Sequence, residues 1–417
     1  MLSYAVFLFS VSIVLLCSVS IIFPALIQST TSEFSELPFY TPVVDPFELG
    51  GLAIPFVIIN GIILLIAVIY YKKYYSLSRL FEFDISNKIA IIVIVIILSI
   101  YIAATIGEFS IEEPWYDLTF GEFSIEEPWQ DAIEMEKRLE VSIKNDKLPI
   151  EEALNLGKYA MLDSHVKFVL LITSEKIFGD YRVIAFFASI ALLIVTFFIV
   201  KEITKKRIPG IIAILIVLQS NIFLTYDTSA VYSNFWILFY VLSLYLILRK
   251  WQLTHISLVL SIFSKILSVA FLPFTIFFIL NNTKGKKRIY VLVFYIVLII
   301  GGLFFITSFP RQMFDLGGTY LPENFLKGFE ILSYQLRFDP IILILLLPVT
   351  VMLFLKSLRG FYQTNSIQIL ISGFLLVPPI LITFTEQTNE PYRLIALVVF
   401  FAIGVGVLFG KIKQDES

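Results

Sequence analysis

An all-α, polytopic transmembrane bundle of about twelve helices, with a helical loop on its outer side, follows from three observations. Hydrophobic residues make up 58% of the 417-residue chain and charged residues only 15%, against roughly a quarter charged in a soluble domain. Mean hydropathy is +0.89. The charges gather in short clusters between apolar runs of about 18–25 residues, enough for a helix to cross roughly 30 Å of hydrocarbon. Backbone polar groups in lipid must be satisfied within their own segment, so such runs form helices. No alternating pattern points to a barrel.

The apolar runs lie at 4–27, 52–71, 88–106, 183–200, 209–226, 233–249, 254–265, 267–282, 289–308, 341–356, 366–384 and 394–410. The first is longer than a signal-peptide core and no basic residue precedes it, so it is expected to be retained. Its Cys17 is the single cysteine, which leaves no intramolecular disulfide to consider.

The connecting segments are of two chemical kinds. Those around 72–88, 201–207, 249–250, 284–288, 356–359 and 411–417 hold eighteen basic residues and five acidic ones. Those at 28–50, 107–182, 227–232, 309–340 and 385–393 hold twelve basic and twenty-eight acidic residues. The positive-inside tendency assigns the first kind to the cytoplasm and makes both termini cytoplasmic. The two kinds alternate if 254–282 is a hairpin and 164–178 is an amphipathic helix on the outer surface. The expected location is therefore a cell membrane, crossed many times. Basic residues occur in twos to fours at helix ends without a continuous stripe, so nothing points to nucleic-acid binding.

The outer segment 107–182 contains a direct repeat. Gly107-Glu-Phe-Ser-Ile-Glu-Glu-Pro-Trp115 recurs at 121–129, and each copy leads through one residue to an acid, Asp117 or Asp131. Two copies indicate a tandem duplication, not a solenoid. Asp131 is placed to cap a helical segment at 132–143, and Pro149 opens a second at about 149–161.

Neither a Walker motif, nor a nucleophile elbow, nor a His-Glu-x-x-His sequence occurs. Two histidines, His165 and His255, are too few for a His-based metal site or triad. Four features remain. The acids Asp117 and Asp131 can ligate a divalent cation or take a proton from an acceptor, or simply solvate the loop. Asp227 is the sole acid in the short link after Tyr226, where solvation or capping competes with function. Lys265 stands inside an apolar stretch, where an ammonium must be paired, ligand-facing or snorkelling. An anionic lipid phosphate is its natural partner. Arg393 stands on the outer side against the positive-inside tendency, with Glu386 and Glu390 as possible ion-pair partners.

Read in order, these residues resemble the GT-C superfamily of membrane glycosyltransferases, which includes protein O-mannosyltransferases, lipid A aminoarabinose transferases and the catalytic subunit of oligosaccharyltransferase. The likeness runs from Asp131 to Lys265. Trp129-Gln130-Asp131 leading into a helix resembles the family's first-loop acid. Ser164-His165-Val166-Lys167 through Phe178-Gly179-Asp180-Tyr181-Arg182 resembles its surface helix. Tyr226-Asp227-Thr228 fills the place of its second acidic motif, and Ser264-Lys265 that of its Thr-Lys pair. The chain departs from the pattern in having Ala132 after Asp131, Val166-Lys167 in place of two prolines, and two helices ahead of the family's first.

The resemblance implies three parts: two extra N-terminal helices in 1–87, a core in 88–282 and C-terminal helices in 283–417. It also implies transfer of a sugar from a polyprenyl-phosphate-linked donor to a protein or lipid acceptor at the outer face, with bilayer lipid as a constant partner. Asp131, or its repeat counterpart Asp117, would be the base, and Asp227 a second acid. Lys265, Arg393, His165 and Arg182 would contact substrate. Asp131 and Asp227 would be the ligands of any Mg²⁺ or Mn²⁺, although the missing neighbouring acids weaken that cofactor. A non-catalytic subunit of the same fold and a secondary transporter are the competing classes. Transport is disfavoured by the lack of an internal repeat relating two halves and by the near absence of ionisable residues within the spans, Lys265 excepted.

Overall fold

A computed structural model describes residues 1–24, 26, 47–71, 83–110, 165–230, 232–308, 324–383 and 391–410. Among these residues every regular element is helical. Five helices are long and apolar enough to cross a membrane: α1 (Leu2–Ile22), α3 (Asn87–Thr105), α5 (Val183–Thr204), α13 (Pro340–Leu358) and α14 (Gln363–Ile382). The others are α2 (Ala53–Tyr71), α4 (His165–Phe178), α6 (Ile208–Leu218), α7 (Asn221–Tyr226), α8 (Phe235–Arg249), α9 (Thr254–Ser264), α10 (Leu272–Asn282), α11 (Gly285–Ser308), α12 (Asn324–Leu336) and α15 (Ile395–Leu408). The apolar runs read from the sequence are largely helical where described.

Two expectations change. The run 209–226 is not one helix. It breaks between α6 and α7, where Ser220 caps α7 by accepting from the Phe223 N–H. Asp339 holds the break open from outside: its carboxylate accepts from the Ser220 hydroxyl at 2.7 Å and the Asn221 N–H at 2.8 Å. Burial pushes the Asp339 carboxyl above its ordinary value, and those hydrogen bonds oppose the shift. Residues 309–340 are not simply a loop either. Helix α12 packs between α1 and α14. Gly328 permits this close approach, because a Cβ there would sit 2.4 Å from the Pro379 Cα.

Helix α15 is the centre of the bundle, with Ile395 to Ile403 all buried against α6, α14, α13 and α5. The N-terminal helices dock on the C-terminal third of the chain. Phe7 stacks on Phe354 at 4.1 Å, and the Ser3 and Ser357 hydroxyls lie 2.8 Å apart. In α2, the Asn60 amide donates at 3.1 Å to the Ile344 carbonyl. That carbonyl has no helical donor because Pro348, four residues on, lacks an N–H. In lipid such an orphan must find a partner, and α2 supplies it.

Contacts between connecting segments join like with like. The Arg207 guanidinium pairs with Asp84 at 2.7 Å and with Asn87 at 2.7 Å. The Lys356 ammonium donates to the Val407 and Leu408 carbonyls, capping the end of α15. The described parts of the basic segments therefore gather at one end of the bundle, and those of the acidic kind, such as Arg182 and Phe109, meet at the other.

Asp84 yields a pH prediction. Partial burial raises its carboxyl, but hydrogen bonds from the Arg207 backbone and side chain and the Ile208 N–H win, leaving it below its ordinary value of 3.8. A depressed folded value means the pairing stabilises fully above the ordinary carboxylate range and is lost as pH falls through the folded value. Asp84→Asn is therefore expected to lower the thermal midpoint at pH 7. The gap to wild type should close toward pH 3, and a gap unchanged by pH would count against the pairing.

Candidate functional site

The site forms at the end of the bundle where the acidic kind of segment gathers. Three pieces of backbone supply it. Helix α9 stops at Ser264, and Lys265 takes an extended conformation (φ −161, ψ 119) before a 3₁₀ turn, Ile266–Phe271, leads into α10. Hydroxyls hold this reversal: Ser261 and Ser268 lie 2.8 Å apart, and Ser268 donates to the Lys265 carbonyl at 2.9 Å. Helix α7 ends at Tyr226, ahead of the link to α8. A second 3₁₀ turn, Pro391–Leu394, precedes α15 and carries Tyr392 and Arg393.

Lys265 and Arg393 converge on one atom. The Lys265 ammonium donates to the Tyr392 hydroxyl at 2.7 Å, and the Arg393 Nε donates to the same oxygen at 3.3 Å. The ammonium also lies 4.0 Å from the Tyr392 ring centroid. Tyr392 is itself buried and stacks on Tyr232 at 4.2 Å. Tyr226 meets both rings edge-on, at 6.1 and 5.7 Å. Among the described residues no carboxylate pairs with Lys265. An anion bound beside the Tyr392 hydroxyl would be attracted by both cations.

Asp227, next to Tyr226, faces inward. It is 1% exposed, and its carboxylate accepts from the Tyr101 hydroxyl of α3 at 2.5 Å. Its backbone carbonyl accepts from Ser189 at 2.7 Å, and Ser189 accepts from the Asn234 amide at 2.9 Å. This network ties α3, α5 and the start of α8 to the link. The carboxylate thereby braces helices.

Arg182 is also drawn into the scaffold. Its guanidinium donates to the Phe109 carbonyl at 2.6 Å, stands 5.3 Å from the Phe109 ring and pairs with Asp180 at 3.3 Å. It thereby anchors the residues that enter the large outer segment to the start of α5. Preceding it, Gly179 ends α4 with φ +72, a conformation suited to glycine. On α4, Phe168, Leu171, Ile172 and Ser174 turn inward while Val169, Ile177 and Phe178 are exposed, so the helix is not divided into an apolar and a polar face as expected.

The chain matches no family model, no curated protein and no solved structure. The site thus stands on its geometry. Of the residues singled out in the sequence, Lys265 and Arg393 come together, Asp227 lies behind the same tyrosine cluster, and Arg182 forms a separate clamp. His165 begins α4, with its side chain outside the described residues. Asp117, Asp131 and the helices expected at 132–143 and 149–161 also lie outside them.

Among the described residues no three His, Cys, Asp or Glu side chains gather. Tyr392, Tyr232 and Tyr101 escaped the sequence reading, because in a chain with 20 tyrosines no single one stands out.

Proposed function

We propose that this is a multi-pass membrane glycosyltransferase that moves a sugar from a polyprenyl-phosphate-linked donor to a protein or lipid acceptor at the outer face, with both termini cytoplasmic. The supporting observation is the convergence of Lys265 and Arg393 on the Tyr392 hydroxyl at the end of the bundle opposite the basic segments. A polyprenyl phosphate keeps its tail in the bilayer and brings its phosphate to the level where these cations lie. In the proposed step an acceptor hydroxyl attacks the anomeric carbon and gives its proton to Asp131. The bond between that carbon and the phosphate oxygen breaks, and the phosphate leaves with the electron pair. Lys265 and Arg393 stabilise the charge that builds on it. Asp227 acts through Tyr101 and the link, positioning the tyrosine cluster.

The break at Ser220 favours one other reading. A discontinuous helix with a buried carboxylate, Asp339, beside a cavity of about 110 Å³ is the kind of place where transporters bind ions or substrate. Transfer of labelled sugar in membranes separates the two. Asp131→Asn is expected to abolish transfer, Asp117→Asn to leave it intact, and Asp227→Asn to reduce it partly while lowering thermal stability. Activity in all three variants would remove the acid assignments. No wild-type transfer from a panel of polyprenyl-phosphate sugars would leave a transporter or a non-catalytic subunit.

A further inference from the structure

The opposite end of the molecule carries a feature that sugar transfer does not use. Two basic turns, remote in sequence, fold against each other there. Helix α8 ends in Arg249 and Lys250, and α10 passes into α11 through Lys284-Gly285-Lys286-Lys287-Arg288. Gly285 makes this second turn tight, with φ +61, a left-handed conformation that glycine adopts without strain. The Lys287 ammonium then donates to the Leu248 carbonyl at 3.2 Å, docking the second turn on the first. Lys250, Lys284 and Lys286 remain exposed. Among the described residues none of these three has an acidic partner.

Directly beside these charges lies an aromatic pair. Trp251 stacks on Tyr290 at 5.8 Å with the rings only 6° from parallel. One turn further in, His255 meets Phe294 at 3.8 Å, so α9 and α11 lie close to each other here. Further along, both helices present exposed apolar residues, among them Ile256 on α9 and Val293, Ile296 and Val297 on α11. The order from the end inward is cations, amphipathic rings, apolar flank. This matches a phospholipid with an anionic headgroup: phosphate at the lysines, glycerol level at the rings, acyl chains along the flank.

Basic residues that serve only to orient helices need no common location. Here a left-handed glycine turn and a lysine-to-carbonyl bond bring two turns into one patch. The geometry points to a binding site for an anionic phospholipid of the adjoining leaflet, formed by Lys250, Lys284 and Lys286 over the Trp251–Tyr290 pair. This site is independent of the proposed sugar transfer.

Trp251 makes it testable. The protein is reconstituted in vesicles containing brominated phosphatidylglycerol or brominated phosphatidylcholine, and the Trp251 signal is taken as the difference between wild type and Trp251→Phe. One basic group near an anionic surface is worth about fivefold in association. Phosphatidylglycerol is therefore expected to be preferred over phosphatidylcholine by at least about fivefold. The preference should fall to about onefold in Lys250→Gln/Lys284→Gln/Lys286→Gln and shrink in high salt. Should the triple variant not fold, Lys286→Gln alone is expected to lower the preference severalfold. Equal quenching by the two lipids in wild type would overturn the proposal. So would a preference that survives either high salt or loss of the lysine charges.

Discussion

Replacing Lys265 by Met is expected to lower sugar transfer by about a hundredfold or more, chiefly in kcat, with little change in thermal stability. The ammonium touches one protein acceptor, the Tyr392 hydroxyl, and that oxygen still accepts from Arg393 when Lys265 is gone. No buried carboxylate is left unpaired among the described residues. The substitution even removes the desolvation cost of a charge inside an apolar stretch. The fold therefore loses little. The proposed reaction would lose a cation aimed at charge that builds only as the phosphate leaves, an interaction worth roughly 3–4 kcal/mol in comparable settings. Such a loss falls on kcat more than KM, because it is made in the transition state. Lys265→Arg keeps the charge and should retain part of the rate. Transfer unchanged in Lys265→Met, measured on protein of wild-type stability, would sink the phosphate role.

Gly406→Ala is expected to destabilise the bundle by about 3 kcal/mol or more. Here α15 crosses α5 and the start of α6 at close range. A Cβ on residue 406 would lie 2.6 Å from the Pro209 carbonyl oxygen, 3.0 Å from Val200 and 3.2 Å from Ala213. The nearest atom is backbone, so no side-chain rotation relieves the clash, and α6 would have to move. Small residues at such crossings let membrane helices approach closely and gain dispersion contact, since lipid offers no hydrophobic drive to associate.

Gly404, two residues earlier, is the control. Its closest neighbours are the flexible ends of Ile371 at 3.1 Å and Leu353 at 3.5 Å, so Gly404→Ala should cost under about 1 kcal/mol. Thermal unfolding in detergent distinguishes the two. Equal midpoints for both variants would mean that the α5–α6–α15 crossing is looser than described.

Some of this molecule was legible before any coordinates. Long apolar runs forced helices, because a chain in hydrocarbon must satisfy its own backbone. The uneven charge of the connecting segments separated them into two kinds, and the contacts keep those kinds at opposite ends. Lys265 stood out because an isolated ammonium in an apolar run has to be explained by a partner or a ligand.

Other features were hidden, each for a physical reason. In α3, Ala90, Tyr101 and Thr105 are buried while Ile91, Ile92, Val95 and Ile96 are exposed. Where both faces of a helix are apolar, no periodicity reveals which side meets protein and which meets lipid. Neighbours such as Asn60 beside the Pro348 kink could therefore not be read from pattern. The break at Ser220 is held by Asp339, the site cation Lys265 by Tyr392, and Asp227 by Tyr101, each across more than a hundred residues of sequence. Composition and charge alone indicated helices long and apolar enough to cross a membrane, joined by connecting segments of two chemical kinds. Tertiary packing decided which tyrosine receives the two cations, which helix is broken and which acid is turned inward, because hydrogen bonds between distant segments leave no local trace in a uniformly apolar sequence.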